Sequence, residues 1–175
     1  MKSIIYLFLF SICFIQMKAD KASTVINEAN SRANKCGYVY GASGETLTEE
    51  SLKRLKKAHP NDVDESRVRK WMGMQVFDCS GFVHYIFNKV GINIYHGATT
   101  AWTSTNWERK GSIANLPRDK VAILCWKQKG GNGMAHTGIY IGNNYVVHAK
   151  GSDYGVVKES LPGSWTDFGI PKGLY

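Results

Sequence analysis

Acidic residues are few in this 175-residue chain: 14 Asp and Glu stand against 22 Lys and Arg, a formal charge of +8. Proline and cysteine are scarce at four each, and there is no internal repeat or low-complexity tract. Few prolines and a 43% apolar content exclude disordered and fibrous classes. The length excludes a (β/α)8 barrel, which needs about 250 residues. No linker-like stretch divides the chain, so one domain is expected.

Only one long apolar run is present, near the start. Lys2 precedes residues 4–15, a nearly unbroken run of twelve apolar positions. A bilayer span needs about 20 residues, so this run suits the core of a signal peptide. Residues 1–19 are expected to be a signal peptide cleaved after Ala19, and residues 20–175 a single secreted domain with no integral membrane segment. Losing Lys2 and Lys18 leaves 20 bases against 14 acids, a net +6. That charge draws a secreted protein toward anionic polymers such as bacterial wall, membrane surface or nucleic acid. No base-stacking or zinc module points to nucleic acid, which is not expected as a partner. Cys36, Cys79 and Cys125 remain, and an odd count in an oxidising compartment leaves a free thiol. Cys36 and Cys125 either pair or stay as two buried thiols, and the sequence leaves both readings open.

Residues 23–34 read as a helix capped by Ser23 or Thr24, with Val25, Ile26, Ala29 and Ala33 on one side. Residues 48–58 read as a second, with Thr48 as N-cap, acids in the first turn and bases in the last. In residues 79–90, Phe82, Val83, Ile86 and Val90 recur at helical spacing until Gly91 stops the pattern. From 121 onward the rhythm changes to short apolar runs, VAILCW, HTGIYIG, NYVVHAK and GVVKES, which read as antiparallel strands. Helices first and strands later indicate an α+β domain.

The chemistry gathers around position 79. Asp78 sits where an N-cap belongs and Cys79 falls in the first helical turn. The roughly +0.5 charge at a helix N-terminus favours a thiolate, and the same exposed amides can hold an oxyanion. Taken alone, Cys79 reads equally well as the start of a core helix. His136 opens one strand and His148 lies near the end of the next. Pairing residue 140 with 144 leaves a three-residue loop, 141–143, and sets 136 opposite 148 on one face; a two-residue Gly142-Asn143 turn puts them on opposite faces. Asn143 tolerates the left-handed conformation that the longer loop needs. In that register Gly138 clears space for the cysteine helix, while Ile139, Ile141 and Val147 turn to the core. Cys79 then attacks, His136 shuttles the proton and His148 holds the His136 ring. The same trio is competent to bind zinc, but no CxxC or HExxH spacing accompanies it. His59, His84 and His96 lack such a setting and read as surface or packing residues. Trp71, Trp102 and Trp107 read mostly as core.

Three blocks now stand in order: Phe77-Asp78-Cys79-Ser80-Gly81-Phe82, His136-Thr137-Gly138-Ile139-Tyr140-Ile141-Gly142 and Val147-His148-Ala149. Together they resemble the NlpC family of cell-wall cysteine peptidases, over about residues 23–160. The resemblance implies a minimal papain-like fold, with the nucleophile helix packed on a central antiparallel sheet. It implies a Cys79–His136–His148 triad that works through a thioester, with no cofactor or metal. Gly37-Tyr38-Val39-Tyr40-Gly41 is similar to the family's tyrosine-bearing segment, which implies that Tyr38 lies beside the thiolate and substrate. Asp78 and Ser80 are implied to bind the free amino end of a bacterial peptidoglycan stem peptide. The implied reaction is hydrolysis of the D-γ-glutamyl–diamino acid bond by a monomer. Residues 43–76, longer than in compact members, are implied to form a helical insertion at the cleft rim. Gly37, Ala42 and Arg118 replace the usual Pro, Gly and Gly, which bears on loop shape. Two other classes fit the same residues: a catalytically silent wall-binding protein, and a papain-like amidase or acyltransferase with another substrate.

Overall fold

The computed structural model describes residues 21–175; the expected signal peptide lies outside the described residues. Residues 21–32 are helical (α1), so Ser23 and Thr24 lie within the helix and not at its cap. Val25 and Ala29, four apart and therefore on one face, are fully buried. α2, Glu49–Ala58, starts where the cap chemistry requires. The Thr48 hydroxyl accepts from the Ser51 amide at 3.2 Å, and the Ser51 hydroxyl accepts from the Thr48 amide at 2.8 Å.

Two sheets organise the rest. The smaller contains β1 (Gly37–Tyr38), β2 (Ser43–Thr46) and β3 (Gln75–Phe77) in the order β1-β3-β2, with β1 parallel and β2 antiparallel to β3. With α2 and the short α3 (Glu65–Val68) it encloses a separate apolar cluster of Val39, Ala42, Leu47, Leu52, Leu55, Val63, Val68 and Val76. The long stretch between residues 43 and 76 therefore buries its own apolar side chains.

The larger sheet is antiparallel throughout. It contains β4 (Trp107–Ser112), β5 (Ala122–Lys127), β6 (Met134–Tyr140), β7 (Tyr145–Gly151), β8 (Gly155–Ser160) and β9 (Asp167–Pro171), in the order β4-β9-β5-β6-β7-β8. The four strands expected from the apolar runs are β5 to β8. β4 was not legible because WERKGS is polar and lies at a sheet edge, and β9 because it is short and carries Gly169 and Pro171.

α4, Cys79–Asn88, leaves β3 directly and packs on β6 and β7, and α5 (Ala98–Ser104) follows it. Phe82, Val83, Ile86 and Phe87 of α4 are fully buried with Ile123, Ile139 and Val147 of the sheet. A helix apolar on most sides belongs inside a core. Truncating Phe82 to alanine would cost about 3–5 kcal/mol.

The β6–β7 hairpin departs from the expected register. Ile139 pairs with Val147 and Tyr140 with Val146, so the ladder is shifted by two residues from the 140–144 pairing. Gly142, Asn143 and Asn144 all take positive φ (85°, 51° and 64°), and three successive left-handed residues make a wider turn than one. Because side chains repeat every two residues along a strand, this slip leaves His136 and His148 on one face. Cys36, Cys79 and Cys125 are all free, which decides the open pairing in favour of unpaired thiols.

Candidate active site

β3 delivers the chain to α4 at Asp78, whose extended backbone makes it the N-cap. One carboxylate oxygen accepts from the Gly81 amide (2.7 Å) and the Ser80 hydroxyl (2.9 Å). The other accepts from the Gly41 amide at 2.9 Å and meets His96 Nε2 at 2.8 Å. The Ser80 hydroxyl in turn accepts from the Gly97 amide at 2.9 Å. Gly81 is required here, since a Cβ would stand 2.1 Å from the Ala42 carbonyl oxygen. The first turn of α4 is thus pinned to the segment after β1 and to the segment before α5.

These contacts set opposite electrostatics on neighbouring residues. Burial pushes the Asp78 carboxyl up, but His96, the Gly81 amide and the Ser80 hydroxyl together outweigh it and hold the group below the usual carboxylate range. The hydrogen bond to Asp78 raises the His96 pKa against the opposing effect of burial. The Cys79 thiol goes the other way from the expectation of a helix-activated thiolate. Burial and then the Asp78 charge push it up to about 12, although the Thr137 and Ser80 amides favour the thiolate. The acidic cap opposes the helix terminus, and loss of solvent exceeds the roughly half-charge of the macrodipole. The resting cysteine is therefore a neutral thiol.

The facing wall belongs to the large sheet. His136 Nε2 meets His148 Nδ1 at 2.7 Å, with His136 6% and His148 1% exposed. Trp126 is the cross-strand partner of His136 and stacks on its ring at a centroid distance of 4.3 Å. Trp165, buried beside both imidazoles, lies 5.6 Å from His136 and 5.5 Å from His148. Gly138 serves this wall and not the cysteine helix. A Cβ there would come within 2.8 Å of the His148 Cβ and 3.0 Å of Trp165. Burial, then the neighbouring His148, drives the His136 pKa down to about 3, and burial also lowers that of His148. On its far side His148 Nε2 meets a Glu159 carboxylate oxygen at 2.9 Å.

Between the head of α4 and the start of β6 lies a cleft of about 510 Å3, lined by Cys79, Asp78, Ser80, Tyr40, His59 and His96 and, from β6, by Met134 and Ala135, the residues just before His136. Tyr38 is half-buried; burial and then the neighbouring Cys79 and Asp78 raise its pKa. All six residues singled out in the sequence fall in one region: Tyr38, Asp78, Cys79 and Ser80 at the mouth of α4, His136 and His148 on the sheet beside Thr137, whose amide favours the Cys79 thiolate. His96 departs from the expected surface or packing role, since it holds Asp78; His59, at the end of α2, packs edge-on against Tyr40 and lines the cleft. Glu159, Trp126 and Trp165 were also missed, because only strand register brings them to the histidines. A hollow of similar volume, about 550 Å3, runs along α2 between Glu50, Lys53, Arg54, Lys57 and Ala58, none of them a nucleophile.

The NlpC/P60 family model matches residues 37–167. Probable endopeptidase p60 of Listeria welshimeri is 36% identical over 92 residues, which cover 53% of this chain and 16% of that protein. Probable peptidoglycan endopeptidase LytE of Bacillus subtilis is 41% identical over 99 residues, 55% of this chain and 26% of that one. The matched region thus spans about a sixth to a quarter of these relatives' length. Among solved structures, the NlpC/p60 domain of peptidoglycan hydrolase SagA aligns with a TM-score of 0.54 at 21% identity, covering 85% of this chain and 97% of that one. NlpC2 from Trichomonas vaginalis aligns with a TM-score of 0.54 at 17% identity, covering 85% and 45%. The fold is the papain-like one these domains share.

Proposed function

Because this chain belongs to the NlpC/P60 family, we propose that it is a secreted peptidoglycan endopeptidase that uses Cys79 as nucleophile and His136 as base. The observation that carries this reading is a thiol at the head of α4, opening on a cleft beside a strand whose histidine is held by a second histidine at 2.7 Å. With a neutral thiol and a neutral imidazole at rest, the proton leaves sulfur for His136 as the sulfur–carbon bond forms. The carbonyl oxygen takes up the charge near the amides of the first turn of α4. His136 then protonates the leaving amine, the carbon–nitrogen bond breaks, and a thioester to Cys79 remains. Water, giving its proton to His136, releases the acid and restores the thiol.

The scissile bond in this proposal is D-γ-glutamyl–diamino acid in a stem peptide. Ionised Asp78 and the Ser80 hydroxyl bind the free amino end, and Tyr38 flanks the thiol. Residues 43–76 act as an insertion on the single domain and set one rim of the cleft through His59. The net positive charge expected of the secreted form supports attraction to an anionic wall.

Mass spectrometry of defined muropeptides after incubation tests the reading, with Cys79→Ala as control. Wild type should yield two fragments split at the γ-glutamyl amide, and the variant none. Equal cleavage by both would remove Cys79 from the chemistry. The competing reading is a catalytically silent wall-binding protein in which the thiol and histidines are present but unused. Muropeptide binding by wild type without any fragment would select it.

A further inference from the structure

The hydrogen bonds behind His136 continue past the second histidine to an acidic side chain that no sequence motif marks. Val146 pairs with Glu159 and His148 with Val157, so β8, the edge strand, presents Glu159 diagonally across from His148 on the same face. One Glu159 oxygen meets His148 Nε2 at 2.9 Å, and the other accepts from Lys150 Nζ at 2.7 Å. Lys150 lies two residues beyond His148 on β7, so both strands clamp the carboxylate. From the geometry we propose that Glu159 is a positioning residue, fixing through His148 the tautomer in which His136 offers Nδ1 as the base; this extends the Cys79–His136 reading and rests on it.

The hydrogen-bond partners fix where each proton sits. An ionised carboxylate can only accept, so His148 must donate from Nε2. A neutral imidazole carries one N–H, so His148 Nδ1 is a lone pair and accepts from His136 Nε2–H at 2.7 Å. His136 in turn has one N–H, and Nδ1 is left as the basic nitrogen. Glu159 is ionised in this setting. Partial burial opposes its charge, but the hydrogen bonds from Lys150 and His148 outweigh it and hold the carboxyl below its usual range. Both imidazoles are neutral, as the buried wall demands. Without Glu159, nothing else hydrogen-bonded to His148 among the described residues selects a tautomer. His148 would then also populate the Nδ1–H form, which turns the His136 Nε2 into an acceptor and moves the proton to Nδ1, blocking the base.

Histidine 15N NMR of the purified wild-type protein reads the tautomer without substrate. His148 and His136 should both show Nε2 protonated and Nδ1 unprotonated, and the opposite tautomer at His148 would overturn the proposal with no variant needed. Glu159→Ala should mix the two tautomers and lower kcat about tenfold to a hundredfold, part of the 10²–10⁴ that general-base catalysis supplies. KM should change less than twofold. Glu159→Gln, whose amide oxygen accepts from the same N–H, should restore the wild-type tautomer and most of kcat. Wild-type kcat and tautomer in Glu159→Ala would overturn the role. Cys79→Ala run alongside separates the two claims: if it still cleaves, the parent reading fails; if it is inactive while Glu159→Ala matches wild type, only the role of Glu159 falls.

Discussion

The two walls that meet at Cys79 are built from the same residue type on opposite principles. On the sheet, His136 packs against Trp126 and Trp165 and His148 against Trp165, and burial lowers both pKa values. On the helix side, His96 sits at the open cleft against an ionised carboxylate and its pKa rises. One wall removes water to keep a neutral base; the other keeps a charge by surrounding it with donors. For none of the three histidines does protonation follow from its sequence neighbours. It follows from the balance of burial against a carboxylate partner: burial outweighs Glu159 at His148, whereas Asp78 outweighs burial at His96.

The largest effect is expected at the residue between the walls. Cys79→Ala should reduce kcat by about 10⁴-fold or more, as for loss of a nucleophile that acts as part of a unit, measured by fragment release. His136→Ala should follow at about 10³–10⁴-fold in kcat, with KM little changed. Asp78→Asn comes next. It should raise KM for substrates with a free amino end, and its weakened cap and ion pair should cost about 1–2 kcal/mol in thermal unfolding. It should also lower the Cys79 pKa, because the Asp78 charge helps to raise it, and this is readable as faster alkylation of Cys79 at neutral pH.

Stability against pH sharpens the contrast between the walls, since the two kinds of histidine act with opposite sign. Unfolded, His136 binds its proton near pH 6.5; folded, only near 3. The unfolded chain therefore holds more protons between those values, and stability should fall as pH drops through that window, by on the order of a few kcal/mol. His136→Gln should flatten that slope in a denaturant titration series. The His96 pKa is raised in the fold, so what it contributes is fully present below 6.5 and is lost as pH rises through its folded value. His96→Gln should abolish this smaller alkaline loss, while a slope unchanged from wild type would show that His96 does not pair with Asp78 in solution.

Much of this was legible in the sequence where local rules decide. Thr48 and Asp78 announced their helices because caps depend on residues three positions away. The strands of VAILCW and HTGIYIG were legible because buried strands are continuously apolar. The common face of His136 and His148 survived a wrong register because a slip of two conserves facing, whereas a slip of one would not. What stayed hidden depends on long-range pairing. Glu159 meets His148 only through the β7–β8 register, and His96 meets Asp78 only because the segment before α5 folds back on the head of α4. The direction of the thiol pKa is hidden for the same reason: the helix dipole is local and visible in sequence, but the burial that opposes it belongs to the assembled fold.

The most direct test of Cys79 acting through a thioester is to let a stronger nucleophile compete with water. Wild-type protein incubated with a defined stem peptide and hydroxylamine should divert the acyl group to a γ-glutamyl hydroxamate, detected by mass spectrometry. The diverted fraction should rise with hydroxylamine concentration while the release rate of the diamino acid fragment stays tied to acylation. Formation of the free acid alone, at every hydroxylamine concentration, would mean that water attacks the amide directly and that Cys79 never carries the substrate.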